Sequence, residues 1–490
     1  MGAAIIRSPR AIILILLFIS AVFLTNCGGG GGNGGGGGEG FMNPVPSVAA
    51  VSPKSSKQGG AGFTLSVAGS NFVSGAAIKW NATTLQTTFV STLLVTADVP
   101  ANFVSSAGPD SITVVNPTPG GGPSNALNFT VPCVIPPPAP ASNQSKARVG
   151  AYYFDGWAGP LTTMHFEGMV NGPFQDRQPL SGWQDNSQCA VEQGLAEAHN
   201  SGIDFFAFDW YFNVQVTDPG ENLNSALQIT HTLPDRHGMQ YAILYVSAPD
   251  FIVGPAHWNS AVTEWLGYMT DSAYVRVNGK PVLFVLNVGQ VRLEFGGSSA
   301  AVAAALQQLR TAAQGQGLPG VYIVGGFGTP SGSLGLEALD DGFNIAGQDG
   351  YDAVAFYGYP FAPTPVNGML PFSMLSAAGH WTWDQAALHC PVPFIPTSMA
   401  GWDPRPWNEV EPTTGDLMYY SRTPQDLATF VSDAIAWTSA NPQMRPEPAP
   451  TPPLVLIEAW NEFGEGSHML PTVGEGTTYS DAVAAMLTGP

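Results

Sequence analysis

The sequence predicts two folded units in series: a small antiparallel β-sandwich, then an α/β barrel of the (β/α)8 type. Three observations lead there. The chain has 490 residues, more than one ordinary domain of about 100–200 residues holds. Residues 44–132 break into short alternating runs separated by turns, whereas residues 147–490 alternate apolar, β-rich runs with helical stretches. A proline-rich linker, residues 133–146, lies between them. With 44% hydrophobic and 11% charged residues the chain can bury a large core, which excludes the highly charged disordered class. Lys+Arg 16 against Asp+Glu 36 leaves a net charge of −20, which repels phosphate backbones and excludes a nucleic-acid partner. Four cysteines in this length exclude a scaffold built on disulfides.

The first 27 residues read as an address. Arg7 and Arg10 precede an apolar run from Ala11 to Leu24, then Thr25-Asn26-Cys27. Basic, apolar and then small or polar is the order of a secretory signal. The run is also shorter than the roughly 20 residues that span a bilayer. Leu24-Thr25-Asn26-Cys27 resembles the lipobox of bacterial lipoproteins, and the resemblance implies acylation of Cys27, which becomes the new N-terminus. Gly28, where an Asp would retain the protein in the inner membrane, favours the outer membrane. Residues 28–43 are a glycine-rich tether. The expectation is an exported, monomeric protein of a bacterial cell envelope that touches the membrane through its lipid.

In the sandwich segment, Phe63–Val67, Ala77–Trp80, Leu94–Asp98 and Ser111–Val115 each alternate with period two and carry β-branched residues. Gly69-Ser-Asn-Phe72, Trp80-Asn81, Val99-Pro100-Ala101 and Asn116-Pro117-Thr-Pro-Gly-Gly-Gly122 followed by Ser124-Asn125 resemble the IPT/TIG immunoglobulin-like domain. No cluster of carboxylates, histidines or cysteines sits here. A spacer is the favoured role and a sugar-binding module the alternative.

Eight β-rich runs form the predicted barrel: Val149–Phe154, Phe205–Trp210, Tyr241–Val246, Val282–Asn287, Val321–Phe327, Ala353–Tyr359, Phe394–Met399 and Leu454–Trp460. Helices are expected between them, among them Ala190–Asn200, Ala261–Met269, Ala300–Gln314 and Pro424–Thr438. Strand and helix repeated in this way fit a TIM barrel. The C-terminal strand ends are the working face of that fold. There the sequence sets Asp209-Trp210-Tyr211, Tyr357-Gly358-Tyr359, Gly401-Trp402-Asp403-Pro404-Arg405 and Trp460-Asn461-Glu462-Phe463-Gly464-Glu465-Gly466. Aromatic rings with carboxylates are the materials of a sugar site, because pyranose C–H faces stack on rings while hydroxyls seek charged or amide partners.

Glu462 and Glu465 stand three residues apart at the mouth of the last strand. A turn at Gly464 brings such a pair to roughly 5–6 Å, in the neighbourhood of the roughly 5–5.5 Å of retaining glycosidases. Two close carboxylates also push one pKa upward, leaving an acid beside a base. Glu458, in phase with Trp460 and Glu462, needs a buried partner that the sequence does not name.

Val149-Gly-Ala-Tyr-Tyr-Phe154, Gly202-Ile-Asp-Phe-Phe-Ala-Phe-Asp-Trp-Tyr211, Gly401-Trp-Asp-Pro-Arg405 and Ala459-Trp-Asn-Glu-Phe-Gly-Glu-Gly466 together resemble the glycoside hydrolase family 99-like barrels, which include endo-α-mannosidases and endo-α-mannanases. The resemblance implies that Glu462 is the base on the substrate 2-hydroxyl and Glu465 the general acid/base, with net retention through an epoxide-like intermediate. Phe463 replaces the family's Trp, and Gly464 stands where the mannosidases have His. Trp460–His468 also resembles a string of the family 71 α-1,3-glucanases, which keeps an inverting α-glucanase as the alternative. Tyr153, Asp209, Trp210, Tyr211, Tyr357, Tyr359, Trp402, Asp403, Arg405, Trp460, Asn461 and His468 are assigned to substrate binding. A poly- or oligosaccharide is the expected partner, a neutral polymer cut within the chain. A non-catalytic glycan-binding lipoprotein and a structural or assembly lipoprotein are the readings from other classes.

No HExxH, Walker loop, GxSxG elbow or dinucleotide fingerprint appears, so no metal or cofactor is expected. With Cys27 lipidated, Cys133, Cys189 and Cys390 allow one internal disulfide. Cys133 and Cys390 both precede strands, at the expected bottom of the barrel, so a Cys133–Cys390 bridge with Cys189 free is expected.

Overall fold

The computed structural model describes residues 41–138, 146–158, 166–170, 172–213, 223–326, 336–358, 368–410 and 418–489. The signal segment, Cys27, tether residues 28–40 and Tyr359 lie outside the described residues.

The N-terminal unit is an antiparallel sandwich. One sheet runs in the order Ser47–Ser52, Phe63–Ser70, Leu94–Val99, Thr87–Ser91. The other is built around the long strand Gly108–Asn116, which pairs with Ala77–Trp80 and Leu127–Val131. Alternate residues of each strand point inward, so Leu65, Val67, Ile78, Val95, Ile112, Val114 and Phe129 close one core. Trp80 lies at its centre, with its ring 4.7 Å from Phe129 and 5.9 Å from Phe103.

The C-terminal unit is a parallel barrel of eight strands: β1 (Arg148–Tyr153), β2 (Phe205–Trp210), β3 (Gln240–Tyr245), β4 (Lys280–Val285), β5 (Tyr322–Gly325), β6 (Ala353–Ala355), β7 (Phe394–Ile395 and Thr397–Met399) and β8 (Leu454–Glu458). Each is buried on both faces, which is why the runs read as almost unbroken apolar strings. Pro396 divides β7 because it offers no N–H to the ladder. The first half of β7 pairs with β6 and the second with β8, and the Pro396 carbonyl still accepts from Leu456 N at 3.0 Å. With β8 also paired to β1, the broken strand closes the ring.

A helix follows every strand: Gln188–Asn200, Ser225–Thr232, Gly254–Met269, Ser299–Gly315, Leu336–Asp349, Phe372–His389, Pro424–Ala440 and Thr478–Thr488. The third begins at Gly254 rather than at the expected Ala261. Pro255 in its first turn reads as a breaker in sequence, yet the first turn has no N–H partner to lose. Pro424–Ala440 opens on a capping box in which Thr423 and Asp426 satisfy each other's backbone N–H groups.

The expected cysteine pairing is corrected. Cys133 bridges Cys189, with Cα atoms 5.9 Å apart, and Cys390 is the free thiol. The reason is the linker's path. Cys133 meets the start of helix Gln188–Asn200, the Val134 carbonyl accepts from Gln193 Nε2 at 3.0 Å, and the Pro137 carbonyl accepts from Asn200 Nδ2 at 2.9 Å at the helix's far end. An extended proline-rich segment covers about 3 Å per residue, so it runs the length of the helix before delivering the chain to β1. Gln58 of the sandwich adds hydrogen bonds to Gln193. Burial pushes the Cys390 thiol up to about 12.

Peptide mapping without reductant should recover a Cys133–Cys189 cross-link and alkylated Cys390. Cys189→Ser should lower unfolding free energy by about 2–4 kcal/mol in denaturant titration, and Cys390→Ser should not remove the cross-link.

Candidate active site

Two residues after β8 ends at Glu458, the chain enters a short antiparallel hairpin: Asn461–Glu462 pairs with Ser467–His468 across the turn 463–466. Each part of this hairpin is fixed from outside. Asn461 Oδ1 accepts from Phe154 N at 2.9 Å and its Nδ2 donates to Phe154 O at 2.8 Å. The Asn461 carbonyl accepts from Trp157 Nε1 at 2.7 Å. Phe463 inserts its ring between Trp157 and Trp183, 5.4 Å from each. Arg177 Nη1 donates to the carbonyls of Phe463 (2.8 Å) and Asp403 (3.0 Å), and Asp403 N donates to Glu465 O. Arg422 Nη1 holds the far strand by donating to His468 O (2.6 Å) and Ala400 O (3.0 Å).

Glycine at 464 has a steric cause. A Cβ there would lie 2.0 Å from Trp407 Nε1, so the indole fills the space a side chain would need. Gly466 turns with φ +66°, and a Cβ on it would meet Asp403.

The hairpin delivers its carboxylates into a buried acidic cluster. Glu462 Oε1 accepts from Tyr357 OH at 2.8 Å, while its Oε2 has no partner among the described residues. Asp209 Oδ2 lies 3.4 Å from the hydroxyls of both Tyr357 and Tyr211, and its Oδ1 has no partner among the described residues. Glu458 is fully buried, and its Oε2 lies 2.8 Å from Ser467 Oγ. Burial raises the proton affinity of every carboxyl here, but unequally. Glu462 rises only to about 7, since the Tyr357 hydrogen bond favours its charged form. Burial and then the charge of Glu462 hold Glu465 well above the usual range. Asp209 is raised by burial and then by Glu462, against weak help from the two tyrosines. Glu462 therefore gives up its proton before Glu465.

Beside the hairpin opens a cavity of about 520 Å³. Phe174, Arg177, Asp403, Arg405, Tyr420, Arg422, Gly466, His468 and Glu475 are among its walls. Asp403 bridges Arg177 and Arg405, accepting from Arg405 Nε at 2.7 Å and Nη2 at 2.8 Å. Although burial opposes it, the Arg405 hydrogen bond and the two arginine charges hold Asp403 below the usual carboxylate range. The Arg405 guanidinium stacks 3.8 Å above the Tyr419 ring. Arg422 Nη2 donates to Glu475 Oε2 at 2.6 Å and lies 2.9 Å from His468 Nε2. Burial and the nearby Arg422 charge push His468 down to about 3, so it is neutral.

Of the sequence-predicted residues, Glu462, Asp209, Tyr211 and Tyr357 meet in the acidic cluster, and Glu465, on the hairpin of Glu462, feels its charge. Asp403, Arg405 and His468 line the cavity. His468 is buried rather than solvent-facing. Trp402 is partly buried against the barrel core, and its carbonyl accepts from Tyr420 N. Asn461 has both ends of its amide engaged with the Phe154 backbone. Three aromatic assignments fall on the wrong face. Trp210 packs under helix Gly254–Met269, 5.3 Å from Trp265, with Nε1 donating to Glu264. Trp460 is fully buried against Phe206 and near Gly194 of a surrounding helix. Tyr153 packs on Phe206 and Phe208 and donates to Asp185. Tyr152, one residue earlier, is the one that stacks on Tyr357, 4.8 Å between rings. Arg177, Arg422 and Glu475 were not legible, since each is an isolated polar residue well away in sequence from the strand ends, and Ser467 carries no chemical signature of its own beside the glutamates.

Gly464→Ala should lower stability by about 1–3 kcal/mol in denaturant unfolding and disturb the Trp407 environment in near-ultraviolet circular dichroism. Gly267→Ala, in a helix where an added Cβ meets nothing, should instead stabilise by about 0.4–1 kcal/mol.

Residues 46–131 match the IPT/TIG domain family. No curated protein sequence matches the chain. Among solved structures the chain is similar to the GH99 endo-alpha-mannosidase from Bacteroides thetaiotaomicron, at 14% identity and TM-score 0.45 over 69% of this chain and 96% of that one. It is similar to a Bacteroides ovatus GH5 xyloglucanase at 9% identity and TM-score 0.34, over 90% and 100% of the two chains. The exo-beta-1,4-mannosidase Op5Man5 from Opitutaceae bacterium strain TAV5 matches at 12% identity and TM-score 0.38, over 70% and 59%. At these values the likenesses assign no chemistry to this chain. The architecture stands by itself: an IPT/TIG domain at residues 46–131 ahead of a (β/α)8 barrel.

Proposed function

We propose that this protein is an exported glycoside hydrolase that cleaves an α-linked, α-mannan-like polysaccharide, with Glu462 as base and Glu465 as general acid/base. The observation that carries the reading is the pair itself: two glutamates on one clamped hairpin, with proton affinities split by Tyr357, beside a polar and aromatic cavity.

Ionised Glu462 takes the proton of the substrate 2-hydroxyl as that oxygen attacks the anomeric carbon. Glu465 protonates the departing glycosidic oxygen, so the bond to the leaving sugar breaks as the epoxide-like C1–O2 bond forms. Glu465, now a carboxylate, takes a proton from water, whose oxygen opens the ring at C1, and Glu462 returns a proton to O2. Two displacements at one carbon give net retention.

The cavity supports a neutral polyol. Its three arginines share the wall with Asp176, Asp403 and Glu475, so charge is matched locally. Because it adjoins the turn of the acid Glu465, it suits the leaving-group side of a chain cut internally. The Cys133–Cys189 bridge supports export, since thiols stay reduced in the cytosol, and fits the lipid anchor expected at Cys27.

The test is a digestion screen of the purified protein on α-mannans, α-1,3-glucan and mixed bacterial polysaccharides. Wild type should release oligosaccharide with retained anomeric configuration, while Glu465→Gln and Glu462→Gln each lose about 10²–10⁴-fold in turnover. Initial release of the opposite anomer would replace the proposed mechanism with an inverting one. Binding without cleavage by wild type would make the protein a glycan-capture lipoprotein.

Activity should rise as pH passes about 7, where Glu462 ionises, and fall at higher pH as Glu465 loses its proton. Tyr357→Phe removes the hydrogen bond that favours ionised Glu462, so the acid limb should move up by about one pH unit. A pH–rate profile of the two proteins reads this shift.

A further inference from the structure

Glu458 takes no part in the mechanism above, yet it is fully buried directly beneath the hairpin. Its surroundings fix its protonation by a count of protons. Ser467 Oγ lies 2.7 Å from the Glu458 carbonyl oxygen, 2.8 Å from Glu458 Oε2 and 3.2 Å from Gly401 N. The Gly401 N–H can only donate, so it occupies a lone pair of the hydroxyl. Ser467 has a single proton to give, and two Glu458 oxygens stand within hydrogen-bond distance of it. Shared between them, that one proton would leave both short contacts half-made, and the Glu458 carbonyl, which also accepts from Ala400 N, cannot carry a proton of its own. The carboxyl can.

We propose that Glu458 is a proton-bearing positioning residue: it stays neutral at working pH, donates through Oε2 to Ser467 Oγ, and so holds the strand that pairs with Glu462. Ser467 is the residue directly opposite Glu462 in the hairpin, so this bond sets the height of the proposed base. Oε1, which has no partner among the described residues, fits as well. The carbonyl oxygen of a neutral acid tolerates burial without a donor far better than a carboxylate oxygen does.

The charges that act on Glu458 are Glu465 and Glu462 from the hairpin and Asp209 from β2, with the phenols of Tyr152 and Tyr357 on the facing elements. All are acids. Burial first, then these neighbours, raises Glu458 well above the usual carboxylate range, with Ser467 opposing. A neutral Glu458 adds shape and a hydrogen-bond donor to the cluster without adding charge, which leaves Glu462 as the carboxyl that ionises. That last consequence rests on the roles proposed for the glutamate pair, whereas the protonation itself does not.

The closing experiment uses Glu458→Gln in the full chain, since the amide donates to Ser467 as the acid does. Infrared difference spectra at pH 7 should show wild type losing a protonated-carboxyl stretch on substitution. Loss of a carboxylate stretch instead would overturn the proposal. Denaturant unfolding from pH 5 to 8 gives a second reading. The folded-state pKa lies above the unfolded one, so wild type loses stability as pH rises while Gln at 458 has no such dependence. The ratio of folding constants, Glu458→Gln over wild type, should therefore grow tenfold per pH unit, and a flat ratio would show an ordinary, ionised Glu458. If Glu458→Gln does not fold, Ser467→Ala should shift the same protonated-carboxyl band, and an unmoved band sinks the bond. On a polymer the enzyme cuts, Glu458→Leu should lose at least tenfold in turnover and Glu458→Gln should recover it. Equal loss in both would mean that the proton is transferred in the reaction and the residue is not a positioning one. Neither spectroscopy nor unfolding needs a substrate, so failure here and failure of the glycosidase reading are distinguishable.

Discussion

Two carboxyl groups can divide the roles of acid and base only where water cannot level their proton affinities, and holding a two-residue hairpin in such a place is the constraint on which this barrel mouth is built. Two residues of pairing on each side cannot support themselves. Stability comes from the frame: Asn461 ties one strand to the end of β1, Arg422 ties the other to the end of β7, and Arg177 grips the turn. Each anchor ends on a backbone carbonyl or amide, so position is set by directional bonds rather than by side-chain shape alone. The aromatic cage around Phe463 then excludes water from one flank.

The electrostatic consequence follows from this packing. The chain carries eleven arginines, and three of them gather at the cavity on one side of the hairpin. Among the described residues, the titratable groups of the acidic cluster are acids and phenols, with the Ser467 hydroxyl beside Glu458. Arginines that satisfy carbonyls and partner carboxylates around the rim leave the interior acids without counter-ions. Burial and hydrogen bonds then set the order in which those acids ionise, and Tyr357 gives Glu462 a bond of 2.8 Å.

Much of the frame was legible in the sequence, and the limits have physical causes. Strands buried on both faces read as continuous apolar runs, so all eight could be found. The same continuity erases the alternation that tells inside from outside. This is why the sequence does not distinguish Tyr153, Trp210 and Trp460, which pack on the outer side of the strands, from Tyr152, which meets Tyr357 inside the barrel. The glutamate pair was legible because its spacing is short. The anchors were not, because Arg177 and Arg422 reach the hairpin from 286 and 46 residues away in sequence. Cys189 was missed as a bridge partner because a linker's composition tells its stiffness and not its direction.

That direction has a mechanical meaning. The proline-rich segment lies along helix Gln188–Asn200 and is bonded near both ends of it, with the covalent link at the end nearer the sandwich. Tension applied from the N-terminal side enters the barrel at Cys189 and is shared with a thirteen-residue helix before it can reach β1. Strand β1 pairs with both β2 and β8, so it is the seam whose displacement would disturb Asn461 and the hairpin. The bridge makes helix Gln188–Asn200 a strain relief: a pull from the sandwich side is borne by the outer wall before it reaches the barrel mouth.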